Sequence, residues 1–288
     1  PSCQQQRALK TTTDIQREPS MKIAALQMVS SAAVAENVAQ AASLIAQAAA
    51  AGAELVVLPE YWCLLGLRAS DKLAIAEVDT AGPLQDFLQT QAQQHGVYLV
   101  GGTLPIQSGV ADKVFNSSLV FSPQGERIAR YDKIHLFAFH KGREAYNEGK
   151  LLQAGNAPVA FDLPSADGHT WRVGLSVCYD LRFPELYRQL AADLYLVPSA
   201  FTYTTGQVHW DVLLRARAIE NLAYVAAAAQ GGTHSNGRQT WGHAMVIDPW
   251  GGVLAQQATG AAVVQADCDY AALQAQRLQL PALRHRVL

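Results

Sequence analysis

The sequence lacks any long hydrophobic segment and any excess of positive charge. Half of its 288 residues are hydrophobic, yet no apolar run approaches the ~18 residues that a membrane-spanning helix needs. Only 16% of the residues are charged and the formal net charge is −2, which gives no basic surface for nucleic acid or an anionic membrane. We therefore expect a large buried core and neither nucleic acid nor a membrane as a partner.

Cysteine is scarce and shows no metal-binding spacing. The four cysteines, Cys3, Cys63, Cys178 and Cys268, are far apart and form no C-x-x-C pair. The eight histidines include no H-E-x-x-H motif. This pattern predicts free thiols in the reducing cytoplasm and no metal or other cofactor.

The first twenty residues differ from the rest of the chain. They are polar and lack the apolar core of a secretory signal. We interpret residues 1–20 as a disordered or artificially added tail without a catalytic role, with a short targeting peptide as the alternative. No linker, repeat or low-complexity segment occurs after residue 20, so residues 21–288 are predicted to form a single domain.

Hydrophobic periodicity predicts alternating strands and helices in the first part of the chain and hairpins later. The predicted elements are strands at 21–28, 55–58, 97–104, 193–198, 224–229 and 261–268, helices at 34–51, 84–95 and 207–222, and hairpins near 115–131 and 242–256. The polar segment 140–152 is predicted to be a loop. This order favours an α/β fold in which two mixed sheets pack face to face, with helices outside.

One segment, W-R-V-G-L-S-V-C-Y-D-L-R-F-P-E-L-Y-R at 171–188, stands out. Its apolar residues alternate as in a strand up to Cys178, and Pro184 is suited to the first position of a helix. Cys178 is therefore predicted at a strand-to-helix corner, where a backbone N–H and a nearby cation favour a reactive thiol. A lone cysteine in such a strand is more often a buried core residue, so a catalytic interpretation needs support from elsewhere.

Two further segments supply that support. E-L-V-V-L-P-E-Y-W at 54–62 contains Glu60, and R-Y-D-K-I-H-L-F at 130–137 contains Lys133. Together with G-L-S-V-C-Y-D-L-R-F-P-E they resemble, in the same order, the three signature blocks of the nitrilase (carbon–nitrogen hydrolase) family. The resemblance runs from about residue 21 to near the C-terminus. It implies a four-layer α–β–β–α sandwich and association into a homodimer or a larger assembly.

These residue types match what amide hydrolysis requires. The reaction needs a nucleophile, a group that carries protons, and charge that stabilises the oxyanion. By resemblance to the family's Glu–Lys–Cys triad, Cys178 is the nucleophile, Glu60 carries the protons, and Lys133 with the N–H of Tyr179 faces the oxyanion. A lysine beside a glutamate and a thiol is expected to keep both ionised.

The family often has a second glutamate, located after the lysine in the chain, that orients it. Glu144 and Glu148 are both candidates. The segment Y-N-E-G-K-L-L-Q-A-G-N matches the family pattern of a glutamate followed by an alanine–glycine turn, which favours Glu148. Glu144 is interpreted as an exposed loop charge.

Further residues are candidates for substrate contacts. Tyr61, Tyr179, Phe201 and Thr202 lie beside the catalytic segments and are predicted to line the pocket. Arg182 is four residues after the nucleophile, and either a clamp on a substrate carboxylate or a structural salt bridge would explain it.

A papain-like thiol–histidine enzyme is an alternative, with His135 or His209 as the base. It is disfavoured because a glutamate and a lysine already account for activation of the thiol.

The sequence thus predicts a metal-independent amidase that hydrolyses a small linear carboxamide through a cysteine thioester. C-Y-D-L-R-F-P-E-L, L-L-R-A-R-A-I-E-N and G-H-A-M-V-I-D-P-W-G look most like the family's deaminated glutathione amidase branch, which releases Cys-Gly from a 2-oxoglutaramyl group. The ω-amidase branch, which acts on 2-oxoglutaramate, shares most of these blocks. Hydrolysis of N-carbamoyl amino acids or nitriles, and an idle member that only binds a partner, are further alternatives. The intact set of three catalytic residue types argues against the last.

Overall fold

The computed structural model describes residues 19–142 and 144–287, so residues 1–18 of the predicted tail lie outside the described part. Within that part the chain forms six α-helices: α1 (Val34–Ala50), α2 (Asp71–Ala74), α3 (Pro83–His95), α4 (Pro184–Leu190), α5 (Tyr203–Asn221) and α6 (Tyr270–Gln279). Three short 3₁₀ turns cover Glu148–Lys150, Cys178–Arg182 and Ala282–Arg284. Among the described residues, no helix has the length and hydrophobicity needed to span a bilayer.

Seventeen strands are described in the same residues. They are β1 (Met21–Met28), β2 (Leu55–Val57), β3 (Tyr98–Val100), β4 (Leu104–Gln107), β5 (Val114–Phe121), β6 (Arg127–Asp132), β7 (Ala138–Lys141), β8 (Glu144–Asn147), β9 (Ala160–Pro164), β10 (Thr170–Leu175), β11 (Leu194–Leu196), β12 (Tyr224–Ala227), β13 (Ala229–Thr233), β14 (Gln239–Trp241), β15 (Ala244–Ile247), β16 (Val253–Gln257) and β17 (Ala262–Cys268).

The strands form two mixed sheets and one separate hairpin. The first sheet runs β14-β13-β1-β2-β3-β5-β4, with β17 also paired to β1 and β6 to β5. The second runs β16-β15-β12-β11-β10-β9. Strands β1, β2 and β3 are parallel to one another, as are β10, β11 and β12. Strands β7 and β8 pair only with each other among the described residues.

The sheets pack face to face and helices cover their outer faces. The core between them takes Ile23 and Val57 from the first sheet and Val173 from the second. A second cluster lies on the outer side of the first sheet, where α1 contributes Leu44 and α3 contributes Leu88. Helix α5 packs on the second sheet. This α–β–β–α order confirms the predicted fold class.

Helix α3 illustrates how local signals set the boundaries. It begins at Pro83, whose missing N–H costs nothing at a first helical position, and ends before Gly96 at φ 62°. Leu84, Leu88 and Ala92 recur on its buried side. The predicted helix at 84–95 therefore differs from the observed one by a single residue.

Three local predictions were wrong. The strand predicted at 224–229 is two strands, β12 of the second sheet and β13 of the first. The strand predicted at 97–104 is two strands, β3 and β4, because the chain turns at Gly102, which has φ 49°. A Cβ atom there would lie 2.0 Å from the carbonyl oxygen of Pro59, so the turn admits only glycine. The loop predicted at 140–152 is instead the β7–β8 hairpin and, after it, a 3₁₀ turn, since pairing across Gly142 satisfies its backbone groups.

Candidate active site

The candidate catalytic residues lie just beyond the ends of strands from both sheets. Glu60 comes after β2 of the first sheet, and Cys178 comes after β10 of the second. Lys133 is the residue directly after β6, and Glu148 opens the first 3₁₀ turn. Because the two sheets pack against each other, these four side chains meet at one end of the sandwich.

Two hydrogen bonds fix the backbone of Lys133. Its N–H donates to Asn116 O at 3.0 Å, and its carbonyl accepts from Gly155 N–H at 3.0 Å. A Cβ atom on Gly155 would lie 2.1 Å from the Asp132 carbonyl oxygen. The alanine–glycine turn therefore fixes the lysine because only glycine lets the two backbones approach this closely.

The side chain of Lys133 is buried between two carboxylates. Its Nζ lies 2.9 Å from Glu60 Oε1 and 2.8 Å from Glu148 Oε2, and 1% of the side chain is exposed. A buried ammonium is tolerated only when it is paired and hydrogen-bonded in this way. The three groups together carry one net negative charge.

Glu60 is fixed by donors that sequence reasoning missed. Its Oε1 also accepts from Asn116 Nδ2 at 3.0 Å, and its Oε2 accepts from the backbone N–H of Ala200 at 2.8 Å. Asn116 is buried inside β5, where asparagine is unfavourable. An asparagine at a buried strand position is the one feature of the sequence that could have indicated that Asn116 binds Glu60.

Glu148 takes the position beside the lysine. Its Oε2 accepts from the N–H of Phe137 at 2.8 Å, and its Oε1 accepts from the Tyr61 hydroxyl at 2.9 Å. Glu144 is not at this position and lines a neighbouring cleft. The geometry thus brings Glu148, rather than Glu144, to Lys133, while the role of either glutamate in the reaction stays a prediction.

Charge pairing and burial set the protonation states. Burial alone would lower the pKa of Lys133, but the carboxylates of Glu148 and Glu60 raise it well above its usual value. Burial would raise the pKa of Glu148, but Lys133 lowers it. Burial and the Glu60 carboxylate raise the pKa of the Cys178 thiol well above its usual range, and Lys133 offsets this only in part. This direction favours a neutral thiol at Cys178, whereas the sequence-based expectation was an ionised one.

This protonation state predicts a spectroscopic result. Ultraviolet absorbance reports thiolate, and subtracting the Cys178→Ala signal from that of the parent isolates Cys178. This difference should show no thiolate at any pH below about 8.5, the ordinary pKa of a thiol. The subtraction removes Cys63 and Cys268, whose pKa values are also raised by burial. A difference signal that rises below that pH would mean that Lys133 holds a resting thiolate.

Cys178 sits on a backbone corner of restricted conformation. Cys178 has φ 48°, a left-handed conformation that a residue with a Cβ atom adopts at a cost of about 1–3 kcal/mol. Its N–H donates to Pro198 O at 3.0 Å, which ties the corner to the end of β11. The predicted strand-to-helix corner is therefore present, with the 3₁₀ turn Cys178–Arg182 before α4.

Asp180 connects this corner to the lysine segment. Its Oδ2 accepts from Tyr131 OH at 2.6 Å and from Val177 N–H at 2.8 Å. Its Oδ1 accepts from the backbone N–H of His135 at 3.1 Å and lies 2.7 Å from His135 Nδ1. A carboxylate has no proton to give, so the imidazole nitrogen is the donor. One fully buried carboxylate thus joins residues 131–135 to residues 177–180.

Changing Asp180 to asparagine should therefore loosen both segments at once. The amide would turn a donor toward groups that are themselves donors, which leaves buried polar groups unsatisfied at a cost of about 1–3 kcal/mol each. We expect urea unfolding to report that loss and kcat to fall. Asp193→Asn is the matched control, because Asp193 also accepts backbone and arginine donors but lies away from the site. Equal kcat losses in the two variants would contradict a positioning role for Asp180.

The cavity over Cys178 is small. It has a volume of about 20 Å³, room for roughly one water molecule. The predicted contact residues Tyr179, Phe201 and Thr202 line it, as do Thr205 and Arg238, which sequence reasoning did not single out. No motif pointed to Arg238, which lies far from the signature blocks in the sequence, whereas Thr205 opens the segment T-G-Q-V-H-W, which resembles a family pattern expected near the pocket or a dimer contact.

A larger cleft of about 570 Å³ adjoins this cavity. Tyr61, predicted to line the pocket, lies here instead, together with Lys72 and Tyr146. Burial lowers the pKa of Lys72 to about 8, although the carboxylates of Glu148 and Glu60 act in the opposite direction. Arg238 lines both spaces, so it stands at the boundary between them.

Arg182 lines neither space. Its Nη2 lies 3.2 Å from His209 Nδ1, and its guanidinium carbon lies 5.5 Å from the centre of the Phe201 ring. Its proposed contact with substrate stays a prediction. Neither His135 nor His209 lines the cavity over Cys178, so the geometry gives no support to the papain-like alternative.

No cluster of three or more histidine, cysteine, aspartate or glutamate side chains suited to a metal occurs in the described residues. What the site holds is a buried thiol, whose pKa the Glu60 carboxylate helps to raise, and a buried ammonium that is paired with that carboxylate. This arrangement can perform acyl transfer, with proton movement through the carboxylate.

Comparison with known proteins agrees with this chemistry. The family model described as carbon–nitrogen hydrolase matches residues 22–278. A deaminated glutathione amidase of Synechocystis sp. strain PCC 6803 is 43% identical over 92% of this chain and 97% of its own length. A human omega-amidase is 36% identical over 93% and 95%. The crystal structure of the Caenorhabditis elegans NitFhit protein aligns with TM-score 0.83 at 35% identity, over 92% of this chain and 65% of that longer chain.

Proposed function

The chain belongs to the carbon–nitrogen hydrolase family, and from that premise we propose that it hydrolyses deaminated glutathione to 2-oxoglutarate and Cys-Gly. It is a hydrolase of carbon–nitrogen bonds other than peptide bonds. The observation that carries the proposed substrate is the cleft of about 570 Å³ next to the nucleophile's cavity, which offers room for an amine much larger than ammonia.

In the first half of the proposed reaction, the Cys178 sulfur attacks the amide carbon while its proton passes to Glu60. The thiol is neutral at rest, so this transfer accompanies the attack. Lys133 and the N–H of Tyr179 stabilise the oxyanion. Glu60 then gives its proton to the nitrogen, the carbon–nitrogen bond breaks, and the amine leaves behind a thioester.

In the second half, Glu60 takes a proton from water as that water attacks the thioester. The carbon–sulfur bond breaks, the acid leaves, and Glu60 returns the proton to sulfur. Lys133 stays charged throughout, since two carboxylates raise its pKa. Glu148 holds the lysine in place by its 2.8 Å contact. One water is consumed, and the enzyme regains its starting state.

The substrate is tested by hydrolysis of deaminated glutathione and 2-oxoglutaramate side by side, with release of 2-oxoglutarate as the readout. We expect kcat/KM to favour the tripeptide analogue by at least about tenfold, since 1.4 kcal/mol of additional transition-state binding gives that ratio. Cys178→Ala supplies the background rate. A preference for 2-oxoglutaramate would overturn the proposed substrate.

The second candidate function is that of an ω-amidase. Its support is the 36% identity to the human omega-amidase over nearly the whole chain and the small cavity over Cys178, which suits ammonia as the leaving group. The same pair of assays distinguishes the two functions.

We also propose that residues 21–288 act as one domain in a cytoplasmic homodimer. The family match over residues 22–278 supports the single domain, and the free Cys63, Cys178 and Cys268 support a reducing compartment. The exposed apolar residues Val208 and Val212 on α5 support self-association. Light scattering of the purified chain and cell fractionation test the assembly and the location.

A further inference from the structure

We infer that Arg238 and Lys72 bind a carboxylate on the amine half of the substrate, in the cleft of about 570 Å³ beside the catalytic cavity. This amine subsite rests on the proposed function and narrows it. The substrate class becomes amides whose leaving amine carries a free carboxylate a few bonds beyond the scissile nitrogen, as a dipeptide does.

The direction in which the amine leaves is set by Glu60. In the proposed reaction Glu60 protonates the leaving nitrogen, so the amine half lies on its side of the site. Ala200 connects Glu60 to Arg238: its N–H donates to Glu60 Oε2 at 2.8 Å, and its carbonyl accepts from Arg238 Nη2 at 2.9 Å. Tyr61, the next residue after Glu60, lines the cleft as well. The amine half therefore extends from Glu60 past Arg238 into the cleft.

Arg238 has unused capacity to bind an anion. Its Nε is buried and has no hydrogen-bond partner, and its guanidinium carbon lies 5.3 Å from the centre of the Tyr146 ring. Stacking fixes the plane of a guanidinium and leaves its N–H edge available for a carboxylate. A buried donor without a partner is costly, and a ligand oxygen at this edge would remove that cost.

Lys72 adds a second cation to the same cleft. Its Nζ lies 4.3 Å from the centre of the Tyr61 ring. The cleft lining holds three cations and one carboxylate among the described residues, Arg68, Lys72, Arg238 and Glu144. Arg68 is already paired with Asp71 at 3.3 Å, whereas no carboxylate of the described chain forms an ion pair with Lys72 or Arg238. The two unpaired cations favour an anionic ligand.

Binding is measured apart from turnover on the full-length Cys178→Ala protein. The probes are 2-oxoglutaramyl-Cys-Gly with a free carboxylate and the same molecule with its C-terminus amidated, each titrated by calorimetry. We expect the acid to bind at least about tenfold more tightly than the amide, as charge-assisted hydrogen bonds to arginine allow. Equal affinity for the two probes, or no binding of either, would overturn the amine subsite.

Variants on this background assign the effect to residues. Arg238→Gln should reduce the acid-to-amide ratio to within about twofold of unity, and Lys72→Gln should reduce it in part. Arg68→Gln is the matched control and should keep the parent ratio, because Arg68 is held by Asp71. The ratio compares two probes on one protein, so a partial folding defect does not mimic the result. A ratio that survives in Arg238→Gln would contradict the assignment.

Failure of the amine subsite and failure of the proposed substrate give different results in these experiments. If the intact enzyme hydrolyses deaminated glutathione but the two probes bind equally, the proposed function stands and the amine subsite does not. If the enzyme hydrolyses only 2-oxoglutaramate while the acid probe binds selectively, the amine subsite stands and the proposed substrate does not.

Discussion

Replacing Cys178 with alanine is expected to lower kcat for amide hydrolysis by at least about 10⁴-fold, the scale on which loss of a catalytic nucleophile acts. The variant loses the sulfur that forms the thioester, and no other thiol of the described chain lines the cavity. Folding should be retained, because the corner is fixed by backbone and Asp180 contacts that alanine preserves. Steady-state kinetics with release of 2-oxoglutarate measure the loss.

Cys268→Ala is the matched control for that experiment. Cys268 is also a fully buried free thiol, but it lies at the end of β17, outside the cavity. Its removal should cost some stability and leave kcat near that of the parent. Rapid quenching of the parent with substrate should also reveal a protein mass increased by the acyl group. Residual turnover in Cys178→Ala above about 1% of the parent rate would exclude a thioester through this residue, since loss of a nucleophile costs far more.

Replacing Lys133 with methionine should have the second largest effect on stability and kcat, because it removes a charge that two buried carboxylates share. Glu60 and Glu148 would then face each other without a counter-ion. Breaking a buried ion pair from one side costs about 3–5 kcal/mol. Loss of the group facing the oxyanion should also lower kcat by about 10²–10³-fold or more. Lys150→Met, an exposed lysine two residues after Glu148, is the matched control.

The stability of the parent and that of Lys133→Met should change with pH in opposite directions. In the parent, Lys133 lowers the pKa of Glu148, so this group contributes stability above its unfolded pKa of about 4.3 and loses it as the pH falls through its folded value. Without Lys133, burial raises the pKa of Glu148, and the variant instead loses stability as the pH rises. Urea midpoints over a pH series would show opposite slopes. Parallel slopes would contradict the charge pairing.

Glu60, Lys133 and Cys178 could be chosen as candidates because each sits in a short segment whose residues are neighbours in the chain. Glu60 comes after a buried strand and L-P, and Cys178 comes after a strand and precedes Pro184. Each pattern alone was ambiguous, and the resemblance of the three segments together to the family's signature blocks decided the choice. The choice of Glu148 over Glu144 depended on a turn pattern, and in the structure the turn's Gly155 packs against the backbone of the lysine segment.

The features that could not be predicted depend on contacts between distant parts of the chain. Asn116 and Ala200 reach Glu60 across 56 and 140 positions, and no periodicity encodes such contacts. The protonation of Cys178 was mispredicted for a related reason. Burial outweighs the nearby ammonium, and the depth of a side chain at the meeting point of two sheets depends on how the sheets pack.

Asp180 limits how this site could be transferred to another protein. The Cys178 corner and the Lys133 segment share the Asp180 carboxylate as their common hydrogen-bond acceptor, so neither segment can be transferred alone. A graft of the cysteine corner alone would carry a buried acid without its donors, and a graft of the lysine segment alone would carry donors without an acceptor. The smallest part of the chain that keeps the carboxylate together with its donors is the pair of segments 131–135 and 177–180.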